Sequence, residues 1–593
     1  MAAAVKIRRA GASWRLCVLL LGWLALALVH AAAHAAESSE VNIQVLGVAP
    51  ELRDNISSYV GKVSPDELNT WRITRVRLSD SVRDALQSQG YYSPDYQVER
   101  HDGGIVITIS PGEPVRVRKL NVVFRGEAGN DIAFTALREH MPLKTGDIFH
   151  HGQYESLKNQ VQALATEHGY FDAEWVQHEA SVHVPERMVD IDLVYDSGPR
   201  YVFGAVSFLD KDGKPQTVVR PELMQRFLNF EEGQPYEADR VIKLNRSLLN
   251  SRFFSDVRVH VQREKAEDNA VPVDIVVTAE RPNNVDLGVG YSTDIKARIS
   301  AKWQRPLIND RGHGIEVNTE LSPVRSTFDA KYNIPLTHPI EDILQYFYGV
   351  KREEVEEVVN WNTVLGVQRI VKHESGWQRT YSLRWNRDTT ETPGEPDDKS
   401  DLVLPGISFD RTRLRGGTDP YWGDRQFYQA EVASKDVLSD ASLISLRAGM
   451  RFLRTLADKH RFLLRGDAGT ILTNDFEDVP QSMRFFAGGD QSIRGYGYKS
   501  ISPRDENGVA EGARNLLTGT LEYSYEFIPR WRLAVFTDAG DAFDDLADIH
   551  TYIGSGAGVR WVTPVGPIRL DFAWAVSEPE RDFRVHFSMG PNL

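Results

Sequence analysis

From about residue 285 to its C-terminus the chain alternates apolar and polar side chains, a rhythm that predicts strands. Ala297, Ile299, Ala301 and Trp303 are interleaved with Arg298, Ser300, Lys302 and Gln304. Leu521, Tyr523, Tyr525 and Phe527 alternate with Glu522, Ser524 and Glu526, and Phe583, Val585, Phe587 and Met589 with Arg584, His586 and Ser588. Successive strand residues face opposite ways, so each run has one apolar and one polar face. A single such run suits a soluble sheet, but about sixteen in succession predict an antiparallel transmembrane β-barrel, apolar towards lipid and polar towards a lumen. Eight tryptophans fall in this region and suit interfacial girdles. Two long connections are expected, an acidic, Pro-containing one at 389–400 and one at 473–513.

Before residue 284 the periodicity is helical, then alternating, three times over. Tyr154, Leu157, Val161 and Leu164, and later Val241, Leu244 and Leu248, lie on one face of a helix. Aromatic pairs close the helices: Gly90-Tyr91-Tyr92, Gly169-Tyr170-Phe171 and Arg252-Phe253-Phe254. Their spacing of roughly 80 residues is too long for a solenoid and suits an array of small domains. Each helix needs a sheet to cover it, supplied by apolar runs such as 105–109, 189–195 and 273–278. The reading divides the chain into residues 37–112, 114–199 and 200–281, three α+β domains, followed by a barrel at 285–593. The aromatic pairs read as core packing at helix ends.

Composition narrows the class. Of the 593 residues 41% are hydrophobic, the mean hydropathy is −0.37, and 69 basic against 83 acidic residues give a net charge of −14. Membrane helices, each needing about 20 consecutive apolar residues, are excluded. The acidic balance argues against a nucleic-acid partner. Residues 1–35 have a basic start, an apolar run and the small-residue site Ala33-His34-Ala35, the layout of a secretory signal peptide. The one cysteine, Cys17, lies inside it, so the exported chain would be free of thiols, consistent with a bacterial envelope protein.

The long connection at 473–513 contains Ile493, Arg494, Gly495 and Tyr496. A strand beginning Gly519-Thr520-Leu521-Glu522 follows, and the next ends Phe536-Thr537-Asp538-Ala539-Gly540. Parity groups Glu522 with Ser524 and Glu526, and Asp538 with Arg532 and Ala534, so both carboxylates face the lumen. If the loop folds inward, the Arg494 guanidinium can bond both, using a fork geometry that lysine lacks.

The Ile-Arg-Gly-Tyr tip, the Gly-x-x-Glu strand start and the Phe-x-Asp-x-Gly strand end resemble the signature of bacterial outer-membrane assembly factors. That family joins periplasmic polypeptide-transport-associated (POTRA) domains to a sixteen-stranded barrel. The resemblance implies a loop lock of Arg494, Gly495, Tyr496, Glu522 and Asp538, with Gly519 and Gly540 as motif glycines. Three units point to the translocation and assembly module, or TamA, branch. Residues 285–294 and the terminal Gly590-Pro591-Asn592-Leu593 are similar to that branch too. The resemblance further implies a weak seam between a first strand bearing Val285, Leu287, Val289 and Tyr291 and a last bearing Phe583, Val585 and Phe587. Client strands, autotransporters or other outer-membrane proteins, would add at that seam by backbone pairing. A large inner-membrane TamB-type subunit would dock on the POTRA region, and the barrel would sit in outer-membrane lipid.

No nucleophile elbow, phosphate loop or His-Glu-x-x-His helix is present, so neither an enzyme nor a cofactor or metal is expected. A dedicated secretion transporter for one partner, or a passive pore, are the rival readings of the same barrel.

Overall fold

The structure is a computed structural model, and it describes residues 41–589 except 102–103, 395, 507, 564–565 and 580–581. The expected signal segment with Cys17 and the terminal Gly590, Pro591, Asn592 and Leu593 lie outside the described residues.

Three small α+β domains come first, each with a three-stranded sheet. In the first, β1 (Asn42–Leu46) pairs in parallel with β3 (Gly104–Ser110), which pairs antiparallel with β2 (Asp95–His101), giving the order β1-β3-β2. Helices α1 (Pro50–Val60) and α2 (Trp71–Ser88) connect β1 to β2 and bury Ile56, Leu78, Val82 and Leu86 against Ile105 and Ile107. The second repeats the plan with β4 (Arg116–Arg125), β5 (Glu174–His183) and β6 (Met188–Asp196) in the order β4-β6-β5. The third has β7 (Val202–Leu209), β8 (Phe254–Val261) and β9 (Ala270–Ala279) in the order β7-β9-β8. An apolar stripe on each helix thus meets one apolar sheet face.

The aromatic pairs have a common backbone cause. Gly90 and Gly169 take φ of +88° and +81°, and Arg252 takes +58° at the corresponding place. This left-handed residue ends the helix and throws the next rings inward; Tyr170 is buried edge-on to Phe134, with centroids 5.6 Å apart. The carbonyls beside these turns accept from the strand entries, Gly90 O from Val115 N–H and Gly169 O from Tyr201 N–H.

The C-terminal region closes into a sixteen-stranded antiparallel barrel, β10 (Asn284–Ser292) to β25 (Phe583–Met589). Leu287, Val289 and Ile299 are exposed on its outside, whereas Glu522, Asp538, Asp571 and His586 are buried inside, as the alternation requires. Strand length varies around the wall: β10, β11 (Lys296–Arg305) and β12 (Gly314–Leu321) have 9, 10 and 8 residues, whereas β17 (Asp398–Arg415) has 18. Half of the acidic connection expected at 389–400 is ladder, residues 389–391 and 398–400 lying in strands. The pairing of β16 (Gln378–Glu391) with β17 runs as far as Thr390 opposite Asp398, and Pro393 and Pro396, which cannot donate to a ladder, lie in the connection between the two strands. The connection at 473–514, between β20 (His460–Leu472) and β21 (Asn515–Ile528), is long as expected.

Candidate functional site

The 473–514 loop folds into the lumen, and its tip is buried. Arg494 lies where β21, β22 (Trp531–Phe543) and β24 (Gly566–Ala575) present carboxylates. Its Nε and Nη2 donate to Asp538 Oδ2 and Oδ1 at 2.8 and 3.0 Å, and its Nη1 to Glu522 Oε2 at 2.9 Å and to Asp571 Oδ2 at 3.1 Å. Its backbone N–H adds a 3.0 Å bond to Asp538, and the guanidinium carbon stands 3.4 Å from the Phe536 ring centroid. The Arg494 side chain is 7% exposed and that of Asp538 0%, so the charges neutralise one another away from water.

A second guanidinium completes the cluster. Arg560, on β23 (Tyr552–Thr563), donates from Nε and Nη2 to Glu522 and from Nη1 to Asp571. Arg494 and Arg560 thus bond three carboxylates between them, and Glu522 and Asp571 are each shared between both arginines. Arg465 holds the loop backbone, its Nη2 donating to Ser492 O at 2.6 Å and to Thr520 Oγ1 at 2.7 Å.

Close approach of backbone explains two glycines. Gly495 has φ +96°, and a Cβ there would meet the carbonyl carbon of Trp574 at 2.9 Å. A Cβ on Gly540 would meet Leu517 O at 2.2 Å. Gly519 is different: the nearest atom to a Cβ there is 3.8 Å away, so the third motif glycine has room for a side chain. Tyr496 anchors the tip through its hydroxyl, 2.7 Å from Ser577 Oγ, and packs edge-on against Tyr552. Further along the loop, Tyr498 and Lys499 reach Glu353 on β14 (Asp342–Val355) at 2.8 and 2.7 Å.

The seam is the thinnest ladder in the barrel. β10 pairs with β11 through nine residues, but with β25 only through Ser292 and Ser588 among the described residues. Thr293 adds bonds to Phe587, N–H to carbonyl at 3.0 Å and, in return, Phe587 N–H to its hydroxyl at 2.8 Å. Val285, Leu287 and Val289 on the first strand and Phe583 and Val585 on the last are all exposed; Tyr291 and Phe587 approach across the seam with ring centroids 5.8 Å apart.

The Omp85 superfamily domain profile matches residues 283–592, more than half of the chain. The chain belongs to the Omp85 superfamily. A second profile, POTRA domain TamA domain 1, matches residues 42–111, the first small domain of this Omp85 chain. The outer membrane protein assembly factor BamA of Nitratidesulfovibrio vulgaris is 24% identical over 575 residues, covering 88% of this chain and 67% of that protein. The BamA of Neorickettsia risticii is 22% identical over 538 residues, covering 85% and 70%. Among solved structures, BamA from Haemophilus ducreyi lacking POTRA domains 1–3 superposes with a TM-score of 0.64 at 15% identity, over 80% of this chain and 99% of that one. This is a likeness of fold.

Within this Omp85 barrel, the residues read from sequence as a lock, Arg494, Glu522 and Asp538, come together. Sequence reasoning missed Asp571, Arg560, Arg465 and His586. The alternation that marks Asp571 and His586 as inward-facing was visible, but nothing in one strand's text says which inward residues share a height in the barrel. Among the described residues one group brings potential metal-ligating atoms within 4.8 Å of one another: Asp294, Asp490 and His586. His586 has no nitrogen to spare. Its Nε2 accepts from Gly495 N–H at 2.9 Å, so Nδ1 carries the proton and donates to Asp490 Oδ1 at 2.6 Å.

Proposed function

We propose that the chain is an outer-membrane translocation and assembly factor of the TamA type, which inserts or secretes autotransporters and other outer-membrane proteins through the β10–β25 seam. The observation that carries this reading is the single residue pair that joins the first and last strands among the described residues, against nine pairs between the first strand and β11. An edge so thinly paired accepts another strand by main-chain bonds and so tolerates many sequences. The POTRA profile named for TamA, matched by the first small domain, favours this branch over the relatives named BamA. In this reading the barrel sits in the outer membrane with the small domains in the periplasm. A TamB-type inner-membrane subunit engages the POTRA region, where the edge strands β2, β5 and β8 offer backbone pairing to a partner or client. No covalent chemistry is assigned.

The test is assembly of an unfolded autotransporter barrel into protease-resistant form in liposomes holding this protein. A Ser292→Cys/Ser588→Cys variant, oxidised to staple the seam, serves as the comparison. Acceleration by the reduced form and its loss on oxidation supports the reading. Equal rates in stapled and reduced forms would remove the seam from the mechanism; steady ion conductance without acceleration would favour a passive pore.

A further inference from the structure

Asp294 lies in the turn at 293–295 between β10 and β11, outside the strands and next to the seam. Its Oδ2 accepts at 2.6 Å from Asp490 N–H in the 473–514 loop, which covers the lumen as a lid (the lid loop). Asp490 in turn gives Oδ1 to His586 of the last strand, and its Oδ2 is buried without a donor although the side chain is only 5% exposed. First hairpin, lid loop and last strand therefore converge on two neighbouring carboxyl groups, one with an orphaned oxygen. A buried carboxylate oxygen beside a second carboxyl is satisfied by one proton on that neighbour, which turns a repulsive contact into a hydrogen bond.

We propose that Asp294 and Asp490 share one proton in the closed barrel, and that losing it releases the first hairpin from the lid loop and last strand, making the seam a pH-sensitive latch. Burial, and then the charge of Asp490, push the Asp294 carboxyl up from 3.8 to about 7. The other ionisable groups around it are Tyr498 and Lys499 of the lid loop, His586 of the last strand, and Arg298, Arg325, Arg451 and Arg569 on the surrounding wall. Apart from His586 they line one cavity of about 440 Å³ with the two acids. Three of those cations are committed elsewhere, Arg298 and Arg325 to Glu320 and Lys499 to Glu353. The closed form holds the Asp294 proton more tightly than an opened one, in which the carboxyl titrates normally. Closure is therefore favoured fully below about pH 4 and loses that advantage as pH rises to about 7, by up to about tenfold in the closed-to-open ratio per pH unit.

The experiment is ion conductance of the full-length protein in planar bilayers from pH 4.5 to 8 at constant ionic strength, with and without EDTA. Open events should rise by about tenfold or more across this range. Asp294→Asn, whose amide donates to Asp490 whatever the pH, should stay closed with a flat profile. Should that variant fail to fold, Asp490→Asn must abolish the same pH dependence. A wild-type current independent of pH, or an unchanged profile in the variant, overturns the proposal. So does a pH-flat current that EDTA increases, which would assign the contact to a bound cation. Because the readout is current, it stands or falls independently of which polypeptides the seam accepts.

Discussion

Replacing Arg494 with alanine removes four side-chain bonds to carboxylates and leaves Asp538, fully buried, with the Arg494 backbone N–H as its one side-chain hydrogen bond among the described residues and with Arg465 as the nearby cation that does not bond it. Glu522 and Asp571 keep Arg560, so the loss falls mainly on Asp538. Two charges about 4 Å apart at an effective dielectric constant near 20 interact by about 4 kcal/mol. Breaking a buried pair from one side costs roughly 3–5 kcal/mol, in agreement. The cost appears as release of the lid loop, raising its open population by roughly 150- to 4,000-fold, at about tenfold per 1.4 kcal/mol. Trypsin reports this, since Lys499 lies in the loop five residues on and is held against Glu353. Cleavage after Lys499 should accelerate by orders of magnitude in Arg494→Ala. Adding Asp538→Asn should restore much of the protection, because the uncompensated charge is then gone. Unchanged cleavage in the single variant, or no recovery in the double, would refute the argument that charge burial holds the loop.

Other substitutions separate the parts of the site. Gly554→Ala places a Cβ 1.8 Å from Arg494 O, so the same trypsin assay should show loop release with all five charges intact. Asp571→Asn keeps the Arg560–Glu522 pair and the Arg494–Asp538 pair; it should cost under about 1.5 kcal/mol, against about 3 kcal/mol for Asp538→Asn, in denaturant unfolding. In the small domains, Gly169→Ala meets Tyr236 Cβ at 2.8 Å at φ +81° and should lower stability by about 1–3 kcal/mol, whereas Arg252→Gly relieves a left-handed arginine and should be neutral or stabilising by up to about 1 kcal/mol in thermal melts.

The barrel was legible because its strands obey a period-two rule that a single chain displays in full, and the inward parity of Glu522, Asp538 and His586 followed from it. Arg494 was legible because it stands in a short Ile-Arg-Gly-Tyr tip of a long loop that precedes two strands whose parity turns Glu522 and Asp538 inward. Arg560 and Arg465 were not. Their roles depend on the stagger between strands and on how deep the loop descends, which are set by the closure of sixteen strands together. The Pro-containing 389–400 stretch misled for the opposite reason, since its turn-forming residues occupy only the hairpin tip while flanking residues pair. Gly519 looked equivalent to Gly540 in the text, yet only the latter faces a carbonyl close enough to forbid a side chain.

The uneven strand lengths have a mechanical consequence for the surrounding lipid. At about 3.3 Å per residue and a tilt near 40°, the nine residues of β10 span roughly 23 Å along the barrel axis and the eighteen of β17 roughly 45 Å. A hydrocarbon layer of about 30 Å fits the tall wall and overshoots the short one by several ångströms. The bilayer must therefore pinch beside β10, β11 and β12, at fractions of a kcal/mol per ångström of mismatch. That strained annulus lies against the seam, so under the proposed lateral route a strand would enter the membrane where it is already thinnest.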